Sequence, residues 1–166
     1  MHLQEKTIDS RTFREVMGRF TTGVTVVTVR DEEKPHGMTV NSFTSVSLDP
    51  LLILVCLDKG ATTTDMLLRT RRFSVNILTA EQKRLAQRFA ESGNEQDRFN
   101  GIDYSLSEEG TPILSGVLGH LTCTVDKVVE GGDHYIFIGE VVDIGSGDDK
   151  KTPLLFYRGN YNVLAE

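Results

Sequence analysis

The sequence predicts a mainly β protein, an antiparallel barrel with a few flanking helices. Three observations carry this expectation. Six or seven short segments are rich in β-branched residues or alternate apolar with polar side chains, as strands do. Most of them are separated by short turn-like stretches instead of long helical ones, which favours antiparallel pairing over a doubly wound sheet. No G-x-G-x-x-G follows any strand-like segment, so a parallel dinucleotide-binding sheet has no support. At 166 residues the chain is expected to form one domain, 1–166, able to bury a substantial core.

Taken in order, Ser10 is placed to cap a first helix, with Phe13, Val16, Met17 and Phe20 at i, i+3, i+4 and i+7. Residues 23–29 are β-branched and read as a strand. Residues 31–37 (Asp-Glu-Glu-Lys-Pro-His-Gly) read as a charged turn. A strand follows from Gly37, ending irregularly at Asp49-Pro50. Residues 51–57 are continuously apolar and read as a fully buried strand. Thr62-x-x-Asp65 resembles a capping box opening a short helix. Residues 73–78 form another strand, and Thr79-x-x-Gln82 opens a second capped helix with Leu85, Ala86, Phe89 and Ala90 on one face. Residues 92–112 are polar with Gly and Pro, and are expected to wrap the surface. Leu121, Cys123 and Val125 alternate with polar residues. Gly131-Gly132-Asp133 is a turn, and Ile136, Ile138, Val142 and Ile144 alternate on the strand after it. Short strands at 154–157 and 161–164 close the chain.

Composition narrows the function. The net charge is −6, and only Arg69, Arg71 and Arg72 form a basic cluster, so nucleic acid is not an expected partner. The longest wholly apolar run, 51–57, is far too short to span a bilayer. The first ten residues contain no apolar stretch of the signal-peptide kind, so a cytoplasmic location without membrane attachment is expected. Cys56 and Cys123 lie in separate strand-like runs with no C-x-x-C, and are expected as free thiols in a reducing compartment, with no metal site.

Five constellations could carry chemistry, each with a plainer structural reading beside it. Residues 39–49 hold five hydroxyls and an amide with almost no charge. Thr39, Val40, Asn41, Ser42, Ser45 and Val46 could serve a flat polar ligand through a few placed hydrogen bonds, or form a Thr/Ser-rich edge strand. Thr62 and Thr63, at a helix start, could hold an anion or simply cap the helix. Arg88 could reach a phosphate or sit in a surface ion pair, and Phe89 could line a site or pack the core. Gly132-Asp133-His134 is either a hairpin that presents a functional histidine or a turn histidine held by Asp133. Tyr157, Arg158 and Tyr161 could stack on a ring and pair with phosphate, or close the barrel. No G-x-S-x-G or H-E-x-x-H is present, which fits chemistry carried by a cofactor.

The pattern G-x-T-x-N-S-x-T-S-V-S-x-x-P from Gly37 to Pro50, together with Gly132-Asp133-His134, resembles the short-chain flavin reductases, which supply two-component monooxygenases. The resemblance covers about 13–164. It implies an FMN-binding split β-barrel, antiparallel and Greek-key-like, working as a homodimer. It implies that Thr39, Val40, Asn41, Ser42, Ser45 and Val46 face a flavin, FAD or FMN. Cys56 and Leu57 would lie beside the ring, the flavin phosphate would sit at Thr62 and Thr63, and Arg88 and Phe89 would lie close by. It further implies that His134, with Tyr157, Arg158 and Tyr161, contacts NADH or NADPH. Asn160 stands where the family usually has a basic residue. The function implied is an NAD(P)H-dependent flavin reductase serving a flavin-dependent monooxygenase. Two rivals stand beside it. One is a non-catalytic flavin-binding electron carrier, against which Gly132-Asp133-His134 speaks. The other is an oxidase resembling the pyridoxamine-phosphate oxidases, whose phosphate-binding Arg/Lys cluster is missing here.

Overall fold

The computed structural model describes residues 7–165; the segment 1–6, part of the stretch read above for a leader, lies outside them. Twelve strands and three α-helices follow in chain order: α1 (Ser10–Met17), β1 (Thr22–Gly23), β2 (Thr25–Asp31), β3 (Lys34–Val40), β4 (Phe43–Leu48), β5 (Leu51–Asp58), α2 (Thr62–Thr70), β6 (Arg72–Ile77), α3 (Lys83–Ala90), β7 (Tyr104–Leu106), β8 (Pro112–Leu114), β9 (Gly119–Gly131), β10 (His134–Ser146), β11 (Leu155–Tyr157) and β12 (Asn160–Asn162). Seven strands form one antiparallel sheet in the order β3-β2-β6-β9-β10-β5-β4. No ladder joins β3 to β4, the two edges. The chain itself joins them through Asn41 and Ser42, so the barrel is split, not closed. A three-stranded sheet β1-β11-β12 and the hairpin β7-β8 complete the fold.

Two cores share β2. Val27 and Val29 pack inside the barrel with Val55, Leu57, Phe73, Phe137 and, from α2, Leu67. Val24 and Val26 pack on the other side with Phe89 of α3, Leu78, Leu114 and Leu154. Strand side chains alternate faces, so a strand covered on both sides must be apolar or internally bonded throughout, and Thr25 to Val29 are all buried. The polar members are satisfied. Asn76 donates to the Val26 carbonyl (3.1 Å) and to Thr28 Oγ1 (3.0 Å), and accepts from the Leu114 N–H (2.8 Å). Gly37 has its own reason: a Cβ there would lie 3.0 Å from the Val27 carbonyl oxygen and 3.1 Å from the Phe89 ring.

Several local expectations need correction. Asp9, not Ser10, caps α1, accepting from the Thr12 N–H at 2.7 Å. The charged turn at 31–37 shrinks to Glu32 and Glu33, both left-handed, because β3 already begins at Lys34. The N-cap of α2 is Ala61, with no side-chain cap, and Thr62 is its first helical residue, so Thr62-x-x-Asp65 is not a capping box. The one at Thr79 is present, with the Gln82 side chain accepting from the Thr79 N–H. Strand β5 alternates in burial instead of being covered throughout, because α2 and the core lie on one face only. On β10 the buried partner is Phe137, while Val142 and Ile144 on the opposite parity are exposed. The 92–112 segment includes β7 and the start of β8 as well as loop. Helix α1 buries none of its residues and ends at Met17, short of Phe20: Phe13, Val16 and Met17 face outward, and Phe20 beyond the helix is exposed too.

Candidate functional site

Four pieces of chain converge where β5 ends. The first is the Asn41-Ser42 link. Ser42 clamps it to β5: its hydroxyl donates to the Cys56 carbonyl (2.7 Å), and its own carbonyl accepts from the Cys56 N–H (3.2 Å). Asn41 is exposed beside this clamp, and its amide has no partner among the described residues. An asparagine at a strand break, spent on nothing internal, is available to a ligand.

The second piece is the start of α2. The Thr64 and Asp65 N–H groups both turn back to the Ala61 carbonyl, while those of Thr62 and Thr63 have no acceptor among the described residues. Free amides and the positive end of the helix dipole favour an anion. The Thr63 hydroxyl is not part of this opening: it is buried against β3, 2.7 Å from Nδ1 of His36. The third piece, the β9-β10 hairpin, lies beside β5 in register. His134 pairs with Asp58, Tyr135 with Leu57 and Ile136 with Cys56, and the Lys59 N–H donates to the Asp133 carbonyl at 3.0 Å. The His134 ring is part-exposed and bonds Asp133 through Nδ1 at 2.7 Å. That bond, reinforced by the charge of the imidazole and of Arg14, lowers the Asp133 carboxyl below its ordinary range. Burial pushes the Cys56 thiol up and that of Cys123 up to about 12, so neither is poised as a thiolate.

The fourth piece is β3 itself. The Thr39 hydroxyl donates to the Ala86 carbonyl of α3 (2.6 Å), Val40 is buried, and Ser45 and Val46 are exposed on β4. Leu57 and Phe89 are fully buried, with Phe89 edge-on to Phe99 at 5.1 Å, so both present core faces in this conformation. Arg88 donates to the carbonyls of Asp97 (2.9 Å) and Asn100 (2.5 Å), which ties its guanidinium to the 95–100 loop.

Tyr157, Arg158 and Tyr161 lie on the small sheet. Arg158, left-handed, docks its turn on α1 through its N–H to the Gly18 carbonyl (2.8 Å), and its guanidinium lies 5.5 Å from the Tyr157 ring. Tyr161 packs edge-on to Phe156. Between this turn and α1 opens a cleft of about 560 Å³ lined by Arg11, Arg14, Arg19 and Arg158 with Glu15 as its one carboxylate. The sequence reading passed over Arg14 and Arg19; their i, i+5 spacing hides that the C-terminal turn brings Arg158 beside them. It also left His36 in a turn, whereas the structure buries it in β3.

Residues 17–165 match the flavin reductase like domain. The chain is 43% identical over 95% of its length, and 83% of the relative's, to the reductase subunit HsaB of a flavin-dependent monooxygenase from Mycobacterium tuberculosis. It is 47% identical over 78% of its length, and 72% of the relative's, to an NADH-dependent FAD reductase from Streptomyces globisporus. Among solved structures, the NADH:FAD oxidoreductase SgcE6 of Streptomyces globisporus C-1027 superposes with a TM-score of 0.90 at 40% identity, covering 100% of this chain and 98% of that one. A match across nearly the whole described chain, with identities above 40%, places this protein in the flavin reductase-like family.

Proposed function

We propose that the protein is an NAD(P)H:flavin oxidoreductase that reduces FAD or FMN and supplies the reduced flavin to a partner monooxygenase. The observation that carries the reading is the convergence of an uncommitted Asn41 amide, free N–H groups at the start of α2 and the Asp133–His134 pair at the end of β5. These groups fit a flavin: Asn41 and the Ser42 backbone for the ring system, and Thr62 and Thr63 amides for the phosphate. Bound flavin and nicotinamide supply the redox chemistry. The chain supplies orientation, so no side chain needs to act as acid, base or nucleophile. His134 positions the nicotinamide nucleotide, with Tyr157, Arg158 and Tyr161 assigned to its remainder. The names of the relatives, a reductase subunit of a monooxygenase and an NADH-dependent FAD reductase, support both the reaction and the partner.

The assembly proposed is a homodimer. The outward Phe13, Val16 and Met17 of α1 and Phe20 just beyond it, with Leu48 and Ile144 of the sheet, form more exposed apolar surface than a lone copy would ordinarily leave uncovered. Sedimentation at micromolar concentration tests this, with a fully active monomer as the refuting result. No described helix is long and apolar enough to cross a membrane. The free thiols of Cys56 and Cys123 support a reducing compartment such as the cytoplasm. Steady-state oxidation of NADH and NADPH, with and without added FMN or FAD, tests the reaction itself. Oxidation that does not depend on flavin, or none with either nucleotide, refutes it.

A further inference from the structure

The cleft between α1 and the Arg158-Gly159 turn gathers the guanidiniums of Arg11, Arg14, Arg19 and Arg158 around about 560 Å³. Its one carboxylate is already engaged: Glu15 accepts from Arg11 Nε at 3.2 Å. Arg14, Arg19 and Arg158 are exposed, with no ion-pair partner and no side-chain hydrogen bond among the described residues. Like charges gathered this way repel one another and attract an anion, here in a chain whose net charge is −6. Guanidinium forks match phosphate oxygens in particular.

The backbone holds the two walls together. Arg158 takes a φ of 49° and Gly159 one of 77°, a left-handed turn that a non-glycine residue enters at a cost. The Arg158 N–H donates to the Gly18 carbonyl (2.8 Å), and the Asn160 amide donates to the Arg158 carbonyl (3.0 Å). Gly18 sits tightly under this turn: a Cβ there would lie 3.1 Å from the Arg14 carbonyl oxygen and 3.4 Å from Arg158 Cα. Arg11, Arg14, Glu15 and Gly18 fall at i, i+3, i+4 and i+7, on the opposite side of α1 from Phe13, Val16 and Met17. The cleft therefore lies away from the apolar face assigned to the dimer.

Position narrows the anion. The charge of Arg14 reaches the Asp133 carboxyl, so this wall of the cleft stands near the Asp133–His134 pair, and a dinucleotide oriented by His134 has the arginines within reach. The Tyr157 ring, 5.5 Å from the Arg158 guanidinium, adds a stacking face. NADH and NADPH carry the same pyrophosphate. Only NADPH adds a phosphomonoester, with a charge of about −1.5 to −2 at pH 7. A site that selects NADH offers a free carboxylate to the ribose 2′-hydroxyl, whereas arginine accommodates the 2′-phosphate. Here the carboxylate is taken and the guanidiniums are free.

We propose that the arginine cleft holds the 2′-phosphate of NADPH, with Arg14, Arg19 and Arg158 as the residues that make NADPH the preferred hydride donor. The inference rests on the reductase reading above and deepens it. One relative is NADH-dependent by name, so the preference is one that this chain draws from its own arginines.

Calorimetric titration with NADP+ and NAD+, beside steady-state kinetics with NADPH and NADH, tests the assignment. NADP+ should bind at least about tenfold more tightly than NAD+, the gain of a charge-assisted hydrogen bond to the added phosphate, and the kcat/KM ratio of NADPH to NADH should show the same preference through KM. Arg19→Gln and Arg158→Gln should each narrow both ratios by about tenfold, with FMN Kd and melting temperature unchanged. Arg19→Lys, which keeps the charge and loses the fork, should retain part of the preference. Equal binding of the two nucleotides, a preference for NADH, or variants that leave the ratios unchanged overturn the proposal. So does a variant that weakens FMN instead of NADP+, since the cleft would then hold the flavin phosphate. If neither NADPH nor NADH is oxidised while NADP+ still binds more tightly than NAD+, the reductase reading falls and the phosphate site stands.

Discussion

Replacing Asn41 with Ala separates a binding role from a structural one with little ambiguity. The side chain is exposed and its amide makes no hydrogen bond within the described structure. Its removal therefore leaves no buried group unpaired and opens no cavity. Surface truncations of this kind change stability by less than about 0.5 kcal/mol, a melting shift of no more than about 2 °C for a domain of this size. The clamp beside it is untouched, since Ser42 and Cys56 hold the link through their own hydroxyl and backbone groups. If Asn41 bonds the flavin, the variant loses one hydrogen bond, worth about 0.5–1.5 kcal/mol. That corresponds to a rise in flavin Kd of about twofold to tenfold. Fluorescence quenching of FMN and calorimetry with FAD give the Kd, and differential scanning calorimetry gives the melting temperature. A protein that melts several degrees lower with unchanged flavin affinity would falsify the assignment and make Asn41 a structural residue.

Further outcomes follow from other sites. His134→Ala should lower kcat/KM for NADH by about 1–3 kcal/mol, the worth of a positioning contact, with flavin Kd and melting temperature nearly unchanged; parallel losses in all three would mean that the Asp133–His134 pair only holds the hairpin. Gly139→Ala places a Cβ 2.6 Å from Phe73 Cζ and 2.9 Å from Cys123 Cβ, and should destabilise by about 1–3 kcal/mol in denaturant unfolding; wild-type stability would show that the barrel interior yields. His36 titrates below its ordinary 6.5 because burial disfavours its charged form, with Arg98 adding to this and Glu95 opposing it. The unfolded chain then binds the proton more readily, so stability should rise with pH through that window and fall as pH drops below about 6.5. His36→Gln should flatten that segment of the stability curve, and an unchanged slope would remove His36 as its source.

Local pattern determined a good part of the fold. The β-branched run of 23–29, the alternation around Cys123 and the Gly-rich turn before His134 are properties of neighbouring residues, and each became a strand or hairpin in place. The Thr79–Gln82 capping box held for the same reason, since cap and partner lie within one turn. Of the candidate site, two short motifs stand out in the sequence, Asn41-Ser42 and Gly132-Asp133-His134, and the structure brings both alongside the end of β5.

What the pattern missed depended on partners distant in the chain. Nothing local says that 51–57 is covered on one face only, because the covering helix α2 and the bare opposite side are arrangements of the whole barrel. His36 looks solvated beside Glu32, Glu33 and Lys34, and is buried because a two-residue turn returns β3 under Thr63 and the 95–98 loop. Arg88 and Phe89 are candidate ligand contacts by their motif, and only the structure shows that the loop after α3 holds the guanidinium and the core holds the ring. The arginine cleft joins residues from both ends of the chain. The sequence by itself marked the longer strand segments and the short motifs that are polar without charge. Only the tertiary structure decided which faces are covered and which polar atoms are left for a ligand, because burial and hydrogen-bond satisfaction depend on what the chain brings alongside.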